Sequence, residues 1–236
     1  MADLLHPSPR QLAAGAALLA LAFVWPLASD WLVAAFGVRW LAVGLVVVSA
    51  LSLAVVGRAL PRGVALGGVD SLALLGLVCA AALTGERVFL LLLPAWVQLA
   101  LARLFWRSVR DGESIFERVA FGIQPYAPDF IRPYCRKSTA LWGALFALNA
   151  AVIAALAVLG PHAWWSAFTG WLVWLVMAAL AGVDWVARKL YFRIYFEHRP
   201  LDRLLKRWFP SENTQMGRRA NEHRREMRLA LGLPPS

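Results

Sequence analysis

Apolar residues run along this chain in long unbroken blocks, not in the alternating or 3.6-residue stripes of a soluble domain. Six blocks read as membrane-spanning helices: Leu12 to Ser29, about Trp40 to Val56, about Val69 to Leu83, Val88 to about Leu104, about Ala140 to Leu159, and Ala163 to about Val186. Polar punctuation separates them. Asp30 and Arg39 bracket an apolar connector. Arg58, Pro61, Arg62 and Gly63 break the second block, Thr84-Gly85-Glu86-Arg87 the third, and Gly160-Pro161 the fifth. The third block is short, and Pro26 and Pro94 lie inside the first and fourth. A signal peptide is a competing reading of the first block, disfavoured by its length and by the blocks that follow.

The pattern predicts an all-α, polytopic helical bundle of about six spans. It divides into a leader (1–11), four spans (12–104), a basic loop (105–139), two spans (140–187), an interfacial amphipathic segment (188–210) and a basic tail (211–236), which reads either as a short solvated helix from about Gln215 to Leu231 or as disorder. Composition agrees. Of the 236 residues, 60% are hydrophobic and only 16% charged, well below the quarter common in soluble domains. Many of the 12 Trp flank the blocks, as interface residues do.

Charge then orients the bundle. With the N-terminus cytoplasmic, all but Arg39 and Arg87 of the 24 Lys and Arg fall on one side. That is a strong positive-inside signal, placing both termini and the central loop in the cytoplasm. It also accounts for the formal charge of +10 without nucleic acid.

The loop is the richest polar stretch. Ile115, Phe116, Val119 and Ala120 share one helical stripe, with Glu117 and Arg118 beside it toward water, so this piece reads as a short helix docked on the membrane face. Pro125, Pro128 and Pro133 then predict extended or turn geometry. Arg132 and Arg136 are four apart. With Arg118, Lys137, Glu117 and Tyr134 they form a candidate surface for phosphate groups or an acidic protein, lipid phosphates being the plainer partner.

Beyond the last span, aromatic and basic residues interleave. Asp184, Arg188, Tyr191, Phe192, Tyr195, Phe196 and Trp208 are expected at the interface with anionic headgroups, Asp184 and Arg188 as an i,i+4 ion pair. Inside the spans, Gln98 and Asn149 are candidates for a substrate path or for an interhelical hydrogen bond.

Catalytic motifs are sparse. His198-Arg-Pro-Leu-Asp202 approaches the His and Asp pair of membrane glycerolipid acyltransferases, but one intervening residue too few stands between them and Pro200 interrupts. The chain has no GxSxG elbow, phosphate-cradling glycine loop or metal-ligand spacing; Cys79 and Cys135 form no motif and the four His are scattered. No catalytic residue, metal or cofactor is assigned.

The segments ESIFERVA and PDFIRPYCRKSTALW, with Phe146 and Asn149 further along, AWW opening the last span and VDWVARK closing it, resemble a family of multi-pass bacterial inner-membrane proteins. These are encoded in clusters that make aryl polyene (xanthomonadin-type) lipid pigments. The resemblance covers about Arg87 to Tyr195; the family has Thr where Cys135 stands and Glu where Asp184 stands. It implies an accessory, non-enzymatic membrane component of pigment biosynthesis whose basic loop meets an acyl carrier protein or soluble synthases. A transporter or flippase for a polyene lipid is the second reading, and a membrane transferase using Glu117 or His198 as base the third.

Overall fold

The computed structural model describes residues 25, 28–47, 68–123, 127–193 and 200–230. Among these residues every regular element is helical: α1 (Ala28–Val47), α2 (Gly68–Thr84), α3 (Arg87–Leu91), α4 (Leu93–Arg110), α5 (Ile115–Ile123), α6 (Arg132–Leu159), α7 (His162–Ala167), α8 (Val173–Phe192), α9 (Pro200–Trp208) and α10 (Gln215–Ala230). Four continuous helical stretches are long and apolar enough to cross a bilayer: Ala28–Val47, Arg87–Arg110, Asp129–Leu159 and His162–Phe192. Their outer faces leave large apolar side chains such as Leu148, Leu159, Trp171, Leu175 and Val183 exposed, as suits a surface in contact with lipid tails. The chain is therefore an all-helical protein with the helices of a membrane protein.

Several boundaries differ from those predicted. The expected connector between Asp30 and Arg39 lies within α1, although Gly37 there has φ +74°, a left-handed conformation natural to glycine and foreign to a regular helix. Most of the first predicted span, and the end of the second, lie outside the described residues. The loop predicted over 105–139 is largely helical. The fourth span continues to Arg110 and is closed by the Arg107–Asp111 pair (3.0 Å) and by Gly112 at φ +146°. The fifth begins at Arg132, eight residues early, because Pro133 falls in the first turn, where a missing N–H costs nothing. Pro128 is extended, as expected (φ −70°, ψ 141°). Pro94 sits in the first turn of α4, just after the break at Leu92 that ends α3.

The chain forms two compact units: residues 1–115 with 139–174, and residues 116–138 with 175–236. In the first, Ala42, Val78, Ala81 and Leu90 make one buried cluster and Leu91, Ala95, Ile153 and Trp165 a second. The small residues let helices approach closely, the main route to attraction where lipid removes the hydrophobic drive. Gly143 shows how closely: a Cβ there would lie 2.7 Å from the Trp106 ring, whose Nε1 donates to the Ala140 carbonyl at 3.2 Å.

The second unit carries sixteen of the 24 Lys and Arg and eight of the 14 acidic residues. Its α9 is amphipathic. Leu201, Leu204 and Trp208 are exposed along one side, and Arg203, Lys206 and Arg207 lie on the other. α10 matches the predicted tail helix within a residue.

Candidate functional site

In the second unit the N-terminal turns of α6 meet the C-terminal turns of α8 through a carboxylate. Asp184, the only acidic residue of α8, is 11% exposed in its side chain. Its Oδ1 accepts hydrogen bonds from Ser138 Oγ (2.6 Å) and Tyr134 OH (3.0 Å), and its Oδ2 accepts from Arg188 (3.3 Å). Tyr134 and Ser138 are four residues apart, so both hydroxyls leave one face of α6. A carboxylate in so dry a place is tolerated because all three donors point at it.

Aromatic packing reinforces the contact. The Tyr134 ring stacks on Tyr191 (6.0 Å) and meets Phe192 edge to face (5.2 Å), and Phe130 packs on Phe192 (6.1 Å). Two of the residues expected at the interface pack against protein. Phe192 is 3% exposed and faces protein, and Asp184 turns its carboxylate onto α6. The helix runs past Val186 to Phe192, so these residues belong to its packed face. The Asp184–Arg188 pair forms as expected; Tyr191 and Trp208 are exposed, and Tyr195, Phe196 and His198 lie outside the described residues.

Glu117 is the other correction. The stripe through Ile115, Phe116, Val119 and Ala120 places it toward water, yet it is 3% exposed, while Val119 and Ile123 are open. Glu117 is the buried residue of α5, and Arg136 approaches its carboxylate (3.8 Å). An acid opposite a cation outranks the apolar stripe because an outward Glu117 would leave Arg136 without that carboxylate. Cys135, also buried, lies within the electrostatic reach of Glu117, Asp184 and Arg188.

The candidate basic surface thus divides. Arg132 is held by Asp129 (2.9 Å) and lies over the Phe121 ring (4.2 Å), and Arg136 is held by Glu117. Arg118 and Lys137 are exposed, with no ion pair among the described residues. Asp202, the acid of the acyltransferase-like spacing, is 1% exposed and bound to Lys189 Nζ at 2.7 Å. It anchors α9 onto α8, which is a structural task.

The first unit holds a polar centre the sequence did not reveal. Asp30 Oδ1 accepts from Arg87, and Asp30 Oδ2 lies 2.9 Å from His162 Nε2, which is 3.0 Å from Arg87 Nη2. The three residues come from the starts of α1, α3 and α7. His162 also stacks on Trp165 (5.5 Å), whose Nε1 donates to the Leu91 carbonyl (3.1 Å). Each was legible only as a lone polar residue beside a span, because nothing local links positions so far apart in the chain. Gln98 and Asn149 belong to this unit too. Gln98 Oε1 and Asn149 Nδ2 are buried without a hydrogen-bond partner.

Among the described residues no three His, Cys, Asp or Glu side chains gather as a metal site would require. Comparisons with protein-family models, with curated proteins and with solved structures found no match.

Proposed function

We propose that this chain is an accessory membrane component of an aryl-polyene-like lipid assembly pathway, whose second unit presents a basic surface to an acidic carrier protein or to soluble synthases. One observation carries the reading: Arg118, Lys137, Arg203, Arg207, Arg218 and Arg219 of that unit are exposed, while the carboxylates of Glu117, Asp184 and Asp202 are engaged within the fold by Arg136, Arg188 and Lys189. With sixteen Lys and Arg against eight acidic residues, the unit carries a net positive charge. Such a surface steers acidic partners and anionic headgroups alike. The positive-inside bias of the sequence supports a cytoplasmic setting for this surface, where carrier proteins operate.

Of the four basic residues of the candidate surface, Arg118 and Lys137 carry the role, because Arg132 and Arg136 are engaged by Asp129 and Glu117. The test is co-purification of an acyl carrier protein with the full chain in nanodiscs. Arg118→Glu with Lys137→Glu should abolish retention, and wild-type retention should fall as salt rises. Retention unchanged by double charge reversal overturns the proposal.

A further inference from the structure

Three inward-facing stripes of the first unit each carry one polar residue in otherwise apolar surroundings. On α4 the stripe is Ala95, Gln98 and Ala102; on α6 it is Phe146, Asn149 and Ile153; on the last long helix it is Trp165, Thr169 and Val173. The flanking members are buried, and one cluster joins Ala95, Ile153 and Trp165, so the three stripes converge.

Helix geometry sets their heights. Asn149 precedes the Gly160 turn by about as many residues as Thr169 and Gly170 follow it, so they lie at one level, roughly 15 Å from the turn. The Phe105–Phe146 contact (5.1 Å) fixes the α4–α6 register and puts Gln98 within about one turn of Asn149.

Two further features mark this level. The backbone from Phe168 to Leu172 is π-helical, an irregularity that often accompanies function. Gly170, inside it, is buried, yet a Cβ built there would meet nothing within 4 Å. Open space therefore adjoins a buried glycine at the height of an orphaned amide. Asn149 is 2% exposed, its Nδ2 is a donor without an acceptor, and Gln98 Oε1 is an acceptor without a donor. Thr169 spends its hydroxyl proton on the Trp165 carbonyl (2.8 Å) and keeps lone pairs available.

We propose that Gln98, Asn149, Thr169 and Gly170 form a binding notch inside the bundle for the hydroxyl group of a neutral, long-chain molecule. A hydroxyl both donates and accepts, so one group satisfies Gln98 Oε1 and Asn149 Nδ2 together; a carbonyl meets only the second. The notch offers no charge, which excludes a carboxylate or an amine as its preferred guest. Entry is lateral. Leu148 and Trp171, next in sequence to Asn149 and Gly170, are exposed on the lipid-facing surface, so a guest arriving from the bilayer brings an apolar body with it. This inference stands apart from the basic surface and would survive its failure.

The experiment is photolabelling of the full chain in nanodiscs with two probes of equal length, a diazirine-bearing long-chain alcohol and the matching diazirine hydrocarbon. Labelled positions are mapped by mass spectrometry. The alcohol should label residues 95–102, 146–153 and 165–173 at least tenfold over the hydrocarbon, and Asn149→Leu should remove that excess. Gly170→Leu, which fills the space and leaves every polar group in place, should remove it too, guarding against a misfolded Asn149 variant. Equal labelling by both probes, or labels confined to lipid-facing positions, overturns the proposal and leaves water as the occupant. A change of oligomeric state in Asn149→Leu without loss of alcohol labelling also overturns it, making Asn149 a contact between copies.

Discussion

Two carboxylates at helix ends, Asp184 and Asp30, illustrate two ways of handling charge beside a membrane. Asp184 is nearly dry and is satisfied by two hydroxyls from one helix face and a guanidinium one turn along its own helix. Asp30 is half exposed and bridges Arg87 and His162 from two other helix starts. The first arrangement is dense, local to one pair of helices and shielded. The second ties three distant segments together but competes with water. Burial decides how much each is worth: exposed pairs contribute little, whereas a buried acid stripped of partners costs several times more.

Breaking the shielded acids should therefore have the largest effects. Lys189→Met leaves the Asp202 carboxylate buried beside an apolar stem and should destabilise the second unit by about 3 kcal/mol. Tryptic cleavage after Arg203, Lys206 and Arg207 should accelerate as α9 detaches; an unchanged cleavage rate would mean that α9 is held by other contacts.

Asp184→Leu comes next. It removes the acceptor of Tyr134, Ser138 and Arg188 and should cost about 2–3 kcal/mol in detergent-titrated unfolding, with Asp184→Asn costing less because an acceptor oxygen remains. Tyr134→Phe isolates one part of that loss. The ring contacts to Tyr191 and Phe192 persist and only the hydroxyl goes, for about 1 kcal/mol.

Asp30→Asn should give the smallest change, about 0.5 kcal/mol, shrinking further at high salt as exposed pairs do. An Asp30 variant as damaging as Asp184→Leu would show that exposure misjudges the first unit's hub, and that tying three segments outweighs access to water.

Three of the six predicted blocks, the fourth to the sixth, were legible as long apolar helices because spanning a bilayer demands long apolar runs; the third forms only a shorter helix, and Ala28–Val47 crosses the boundary predicted between the first and second. α10 was equally legible, found within a residue of its predicted ends, and so was the Asp184–Arg188 pair, since i,i+4 spacing is a property of one helix. The limits of α4 and α6 were not. Hydropathy ends a span where charge begins, at Leu104 and Ala140, but a helix ends where its hydrogen bonds do, at Arg110 and Arg132. Glu117 failed for a related reason: its stripe pointed it toward water, and its partner Arg136 lies on another helix.

By itself, then, the sequence determined that the chain is helical and built for a bilayer, that it is strongly basic, and that α9 has an apolar and a basic side. These follow from composition and periodicity, which act within single segments. Tertiary structure alone decided which acids are buried, that Arg132 and Arg136 are held by neighbouring carboxylates, and that Asp30, Arg87 and His162 meet. It also left Gln98 Oε1 and Asn149 Nδ2 buried without a hydrogen-bond partner. The physical reason is that a polar group's value depends on how much water its neighbours exclude and which partners they supply, and those neighbours come from other segments of the chain.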